Sequence, residues 1–216
     1  MRLQYKIKSS ELPLLFQHTI NSQTQLAVWK IEEPPDFFEK QVKLTAPTVH
    51  PLKQLQFLAG RYLLQSMQPG FPLDKIQLAA GEKPFIKDHS SAFSITHTGQ
   101  FAAAIVSQNA LVGIDMEMIS EKALKVASRF LHTEEMGLLA ALDPAALNTR
   151  ATLLWTVKET VYKWKGEKGV DFREQILVTT IDNKEQMAEG EFVGSGRLSF
   201  RVHYREIEGA ILSWLG

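Results

Sequence analysis

No cysteine occurs among the 216 residues. That excludes disulfides, thiolate catalysis and cysteine-ligated zinc as sources of stability or chemistry. A cysteine-free chain suits the cytosol, and a cytoplasmic location is the expectation. Long apolar runs are also missing. The longest is FAAAIV, six residues from Phe101 to Val106, where a helical membrane span needs about 20. The opening stretch MRLQYKIKSSELPLLF carries charges where a secretion signal needs an apolar core, so no signal is expected. Nor does charge of one sign dominate, since 24 Lys and Arg balance 24 Asp and Glu. A neutral chain exerts no long-range field on nucleic acid or membranes, and neither is an expected partner. What is present is ordinary globular composition, 44% hydrophobic and 22% charged. The length allows one large domain or two of about 100 residues each.

The pattern favours two similar α+β halves, divided at residues 1–108 and 109–216, each with a small, mainly antiparallel sheet against helices. In the first half, LAVWKIEE alternates like a strand and stops at Pro34-Pro35. HPLKQLQFLAGRYLLQSM then has helical spacing and ends before Pro69-Gly70. IQLAAGEKPFI reads as a strand broken by a turn, and AFSITHTGQFAAAIVSQ as a hairpin bent at Thr98-Gly99. The second half opens on a strand over 111–119. A helix capped by Ser120 should run through KALKVASRFL, and another piece should start near Thr133. Asp143-Pro144 reads as a break before the longest helix, Thr149 to Gly166. Three strands close the chain: ILVTTID, RLSFRVHYRE and AILSWLG.

The chemistry starts from LVGIDMEMI. On an extended strand Asp115 and Glu117 share a face, while Val112, Ile114, Met116 and Met118 occupy the other. Two carboxylates so placed repel unless a cation lies between them. On the long helix, Glu159 and Lys163 are four apart in the orientation that pairs well. An i,i+4 ion pair at the surface explains that spacing. So does a third carboxylate for a site with Asp115 and Glu117, since a few hard oxygen donors with open positions suit Mg²⁺ and substrate phosphates. Lys158 is a neighbouring cation for such phosphates. Thr96, His97 and Thr98 at a hairpin bend read either as plain turn residues or as an anion site. Lys83 with Pro84, and Arg61 on the first helix, carry the same two readings.

Taken in order, GEKPFI, FSITHTG, VGIDMEMI and LLWTVKETVYKWKG resemble the 4′-phosphopantetheinyl transferases of the larger, Sfp-type group. That family shows a G-x-K-P turn, an S/T-H-S/T segment, a V/I-G-I/V-D-x-E strand and a W-x-x-K-E-x-x-x-K helix. The specific part is the D-x-E strand followed by the K-E-x-x-x-K helix. Here the helix has Thr160 after the glutamate, where alanine or serine is common. His50 and Lys53 stand where members often carry a denser basic cluster.

The resemblance implies two α/β halves on a pseudo-twofold axis with coenzyme A in the cleft between them. It implies Mg²⁺-dependent transfer of the 4′-phosphopantetheine arm of coenzyme A to a serine of an apo acyl or peptidyl carrier protein. By the same resemblance, Asp115, Glu117 and Glu159 are the metal ligands. Glu159, Lys163 and Asp115 are the catalytic group, with Glu159 also a candidate base. Arg61, Lys83, Pro84, Thr96, His97, Lys158 and Lys163 would contact coenzyme A. The two-half layout leads us to expect a monomer. Two other readings use the same residues: a coenzyme A or carrier-binding protein without turnover, and a different Mg²⁺-dependent phosphoryl-transfer enzyme.

Overall fold

The computed structural model describes residues 14–48, 50–77, 83–87, 91–140, 142–194 and 196–216. The opening residues 1–13, and Gly81 and Glu82 of the expected turn, lie outside them. Among the described residues, no helix is long and apolar enough to cross a membrane.

β1 (Leu14–Asn21) and β2 (Thr24–Lys30) form a hairpin. α1 (Pro35–Val42) and α2 (Pro51–Met67) follow, and then β3 (Ala92–Thr98) and β4 (Phe101–Ser107) form a second hairpin. The first sheet has the antiparallel order β1-β2-β4-β3. The expected strand over 76–86 is reduced to a single antiparallel bridge, Gln77 to Phe85, among the described residues.

β5 (Gly113–Met118) starts the second sheet. Next come α3 (Glu121–Lys125), α4 (Ala127–Phe130), α5 (Gly137–Ala140), α6 (Pro144–Lys165) and α7 (Phe172–Gln175). The chain closes with β6 (Ile176–Asp182), β7 (Met187–Val193), β8 (Arg197–Ile207) and β9 (Ala210–Leu215), in the antiparallel order β5-β9-β8-β7-β6.

Three readings of the chain need correction. The helix expected after Ser120 is two short helices, because Val126 leaves helical geometry at φ −113° and ψ 10°. Asp143-Pro144 is a helix start and not a break: Asp143 Oδ1 accepts from Ala146 N at 3.0 Å, and Pro144 occupies the first helical position. β7 was hidden by Glu189 and Glu191, which face outward and pair with Arg201 and Arg197. Gly190 hid it further, having no side chain to mark the inner face. A Cβ there would come within 2.1 Å of Leu177 O.

The two sheets pack face to face where β2 and β4 meet β5 and β9. Leu26, Val28, Ala103 and Ile105 from one side interdigitate with Ile114, Met116, Leu212 and Trp214 from the other. α1 and α2 cover the outer face of the first sheet through Ala27, Trp29, Ala102 and Ala104. α6 covers the outer face of the second through Leu154, Val157 and Val161. β4 is therefore buried on both faces, which is why it reads as a continuous run and does not alternate. This architecture is the expected mixed α+β one, with two small antiparallel sheets against helices.

Candidate active site

β5 lies directly on the last turns of α6. At Gly113 a Cβ would stand 2.2 Å from Thr160 O, so only glycine permits the approach. A buried hydrogen bond of 2.6 Å between Thr160 and Ser213 ties the same helix to β9. With strand and helix this close, alternation along β5 decides the rest. Ile114 and Met116 enter the core between the sheets, while Asp115 and Glu117 turn toward α6.

There Asp115, only 3% exposed, meets Lys163, whose Nζ donates to its Oδ1 at 2.6 Å. Thr96 Oγ1 donates to the same oxygen at 2.9 Å. Oδ2 of Asp115 is buried with no partner. Glu117 accepts from Thr98 Oγ1 at 3.3 Å. Burial and the Asp115 charge push the Glu117 carboxyl above its ordinary range. Glu159 is pushed up to about 7, chiefly by burial, then by Asp115, against the pull of Lys163 and with a further push from Glu117. The three carboxylates thus feel one another across the seam of β5 and α6. Among the described residues, no three His, Asp or Glu side chains, these three carboxylates included, stand close enough together to hold a metal ion.

The donor set nonetheless fits Mg²⁺. That ion is commonly held by one or two carboxylates, with waters and substrate phosphates completing its shell. The bare, buried Oδ2 of Asp115 beside two carboxylates driven toward protonation is a place where a cation would be stabilised.

On one side of this cluster opens a cavity of about 680 Å³ lined by Lys83, Pro84, Phe93, Asn109, Lys163 and Trp164, among others. Lys83 Nζ donates to Val112 O at 2.7 Å. Burial and the neighbouring Lys163 lower its pKa to about 8. His97, next along β3 from Thr96, is held below its ordinary pKa by burial and by Lys163 and Lys53, against the pull of Asp115. The cluster therefore sets carboxylate oxygens beside Lys163, which with Lys83 turns cations into the cavity. That combination suits a phosphate ester held with a divalent metal.

Lys158 departs from expectation. It is fully buried, and its three ammonium protons go to Glu135 Oε2 at 2.5 Å, Phe130 O at 2.9 Å and Phe172 O at 2.8 Å. A lysine has no fourth donor, so Lys158 cannot serve a phosphate while it holds this clasp. Thr96 also plays a different part, because its single hydroxyl proton is committed to Asp115. Arg61 takes no part in the hydrogen bonds of the cluster: it is 7% exposed, donates to Phe57 O and stacks on the Phe57 ring at 3.4 Å.

Two contributors escaped the sequence reading. Glu135 lies 23 residues from Lys158, a distance at which no local pattern signals pairing. The other is Ser94, which stands in a row on β3 with Thr96 and Thr98, the two that the sequence did mark. These hydroxyls meet Ile114 N, Asp115 and Glu117 in turn, joining β3 to β5 by side chains.

Residues 111–211, which contain β5 to β8, α6 and the first two residues of β9, match the family model of the 4′-phosphopantetheinyl transferase superfamily. Over this stretch, a little under half of its length, the chain is similar to that superfamily. It is also similar to the 4′-phosphopantetheinyl transferase gsp of Aneurinibacillus migulanus, 32% identical over 114 residues. That match covers 52% of this chain and 46% of the relative, so it spans less than half of the relative's length. Asp115, Glu117, Glu159 and Lys163 all fall inside the matched stretch. Arg61, Lys83, Pro84, Thr96 and His97 fall outside it.

Proposed function

We propose that the chain transfers the 4′-phosphopantetheine arm of coenzyme A to a serine of an apo acyl or peptidyl carrier protein, with Mg²⁺ as cofactor. The observation that carries this reading is Asp115, buried with one oxygen bare and paired with Lys163, which together with Lys83 lines the neighbouring cavity. In this reading residues 1–108 supply the nucleotide side of the cleft and residues 109–216 the metal side.

Asp115, Glu117 and Glu159 would hold Mg²⁺, which supplies charge neutralisation to the pyrophosphate when bound. The carrier serine oxygen attacks the β-phosphorus, and the bond to the 3′,5′-adenosine bisphosphate oxygen breaks. Negative charge gathers on the pyrophosphate oxygens as that bond lengthens. Lys163 and Lys83 point cationic donors at this charge, and His97 adds a neutral one. Glu159 orients the serine hydroxyl and accepts its proton. Thr96 and Thr98 fix the rotamers of Asp115 and Glu117, so the carboxylates do not reorganise during the reaction.

The test is to incubate the protein with coenzyme A, Mg²⁺ and a panel of apo carrier proteins, and to weigh the carriers. A mass gain of one pantetheine arm is expected on at least one of them. Tight coenzyme A binding with no gain on any carrier would indicate a binding protein. Phosphate release without carrier modification would indicate a different phosphoryl-transfer enzyme.

A further inference from the structure

Two contacts inside the site cannot by themselves hold α6 in place. Lys163 holds Asp115 at 2.6 Å, but a lysine that serves substrate charge during turnover is not a permanent tie. The close pass of Gly113 beneath Thr160 O has no direction. It sets how near the helix lies and leaves its position along its own axis open. Thr160 and Ser213 supply the directional bond. Their hydroxyl oxygens are 2.6 Å apart, and both residues are 0% exposed. Thr160 also donates to Ser213 O at 3.2 Å. With that proton used, the Ser213 hydroxyl donates to Thr160 Oγ1, and both hydroxyls are satisfied.

Ser213 on β9 is the direct cross-strand neighbour of Asp115 on β5. Such neighbours point to one face of a sheet, here the face toward α6. Thr160 follows Glu159 along the helix and comes three residues before Lys163. The bond therefore joins the neighbour of one site residue to the neighbour of another. Neither Thr160 nor Ser213 lines the large cavity, so a ligand there leaves the bond intact. Around the pair the seam is apolar, with Val157, Val161 and Ile211. Two apolar side chains of the same shape would stabilise such a seam about as well, so burial alone gives no reason for a polar pair.

We propose that Thr160 and Ser213 are positioning residues for the transfer reaction. Their bond fixes where α6 stands along β9, and so where Glu159 and Lys163 stand against Asp115. This rests on the transferase reading. A misplacement of about 1 Å at reacting groups costs up to about 100-fold in rate. The two helix residues tolerate such a shift differently. Lys163 has a long, flexible stem and follows a phosphate through a small displacement. Glu159 is shorter and must meet the serine proton at hydrogen-bond distance. Loss of the bond therefore slows turnover and leaves coenzyme A binding in place.

The test is steady-state carrier modification with Mg²⁺, together with urea unfolding of each protein. The variants are Thr160→Val, Thr160→Ser, Ser213→Ala and the double change Thr160→Val with Ser213→Ala. Thr160→Val keeps the shape but strands the Ser213 hydroxyl, so it should lose stability. Its kcat should fall about 10-fold to 100-fold, with KM for coenzyme A unchanged. Thr160→Ser keeps the hydroxyl and should restore kcat. The double variant strands nothing and should unfold near the wild-type urea concentration, yet its kcat should stay low. That result separates positioning from stability. A kcat that recovers with stability in the double variant overturns the proposal. So does a wild-type kcat in Thr160→Val, or a loss that lies in KM alone. If Thr160→Val does not fold, Ser213→Ala and the double variant decide, and a wild-type kcat in both overturns the proposal. A wild-type protein that modifies no carrier overturns the transferase reading itself.

Discussion

Arg61 on α2 and Lys158 on α6 are both buried cations on the long helix of their half, yet their surroundings differ. Lys158 has a carboxylate and two carbonyls, which use all its donors. Glu135, its partner, also accepts from His132 N and Val178 N, so the pair clasps α6 to α4, α7 and β6. Arg61 has Phe57 O and an aromatic face, with no carboxylate among the described residues. Burial alone pulls its pKa down to about 10. The satisfied cation is structural and holds the helix that carries Glu159 and Lys163. Arg61 is held only by the Phe57 carbonyl and ring, with no opposite charge beside it among the described residues.

The sharpest way to break this comparison is Glu135→Ala. Removing one partner of a buried pair strands the other, and about 3–5 kcal/mol of unfolding free energy should be lost in urea titration. The double change Glu135→Leu with Lys158→Met should recover much of it, because an apolar pair of similar volume needs no desolvation. Failure to recover would mean that the clasp does more than hold the helix.

Asp115→Ala should lower the transfer rate by about 10²–10³-fold in the mass assay, the usual effect of removing one electrostatic contact to developing charge. Its thermal midpoint should stay close to wild type, and a collapsed fold would make the residue structural.

Lys83 gives a smaller, pH-dependent effect. Its folded pKa is lowered to about 8, so the folded protein releases this proton while the unfolded chain still holds it. This contribution therefore makes the protein more stable as pH rises from about 8 toward the ordinary lysine value near 10.4. Coenzyme A binding should move the opposite way, falling about tenfold between pH 7 and 9 as the ammonium is lost. Lys83→Met should flatten both profiles, and a wild-type affinity constant across that range would remove Lys83 from the phosphate site.

Arg61→Met should have the smallest effect on stability, leaving it unchanged or raising it by about 1 kcal/mol, since an uncompensated buried charge disappears. A large loss of stability in the urea titration would show that Phe57 satisfies the guanidinium after all.

Much of the second half was legible before folding. The alternation of β5 placed Asp115 and Glu117 on one face, and the 3.6-residue period of α6 placed Leu154, Val157 and Val161 in the core. Both patterns are local, and local periodicity follows directly from backbone geometry. Lys158 was misread because its neighbour in sequence, Glu159, belongs to the site, while a helix turns about 100° per residue. One residue along, the side chain leaves the cluster for the core. Thr96 was placed in the right region with the wrong partner. Its sequence context marks a hydroxyl at a bend, but only the packing of β3 on β5 shows that Asp115 takes its proton.

By itself the sequence determined most of the strands and helices, the faces of β5 and α6, and the residue types of an oxygen-donor and cation site. Those are consequences of short-range periodicity and side-chain chemistry. Only the tertiary structure decided which donors remain free. Glu135 and Lys158, 23 residues apart, cancel each other in the core. Asp115 keeps one bare oxygen, and Thr152 and Asn148 keep unpaired ones. Whether a polar atom is satisfied depends on every group that folding brings within about 3 Å of it, and no local pattern encodes that list.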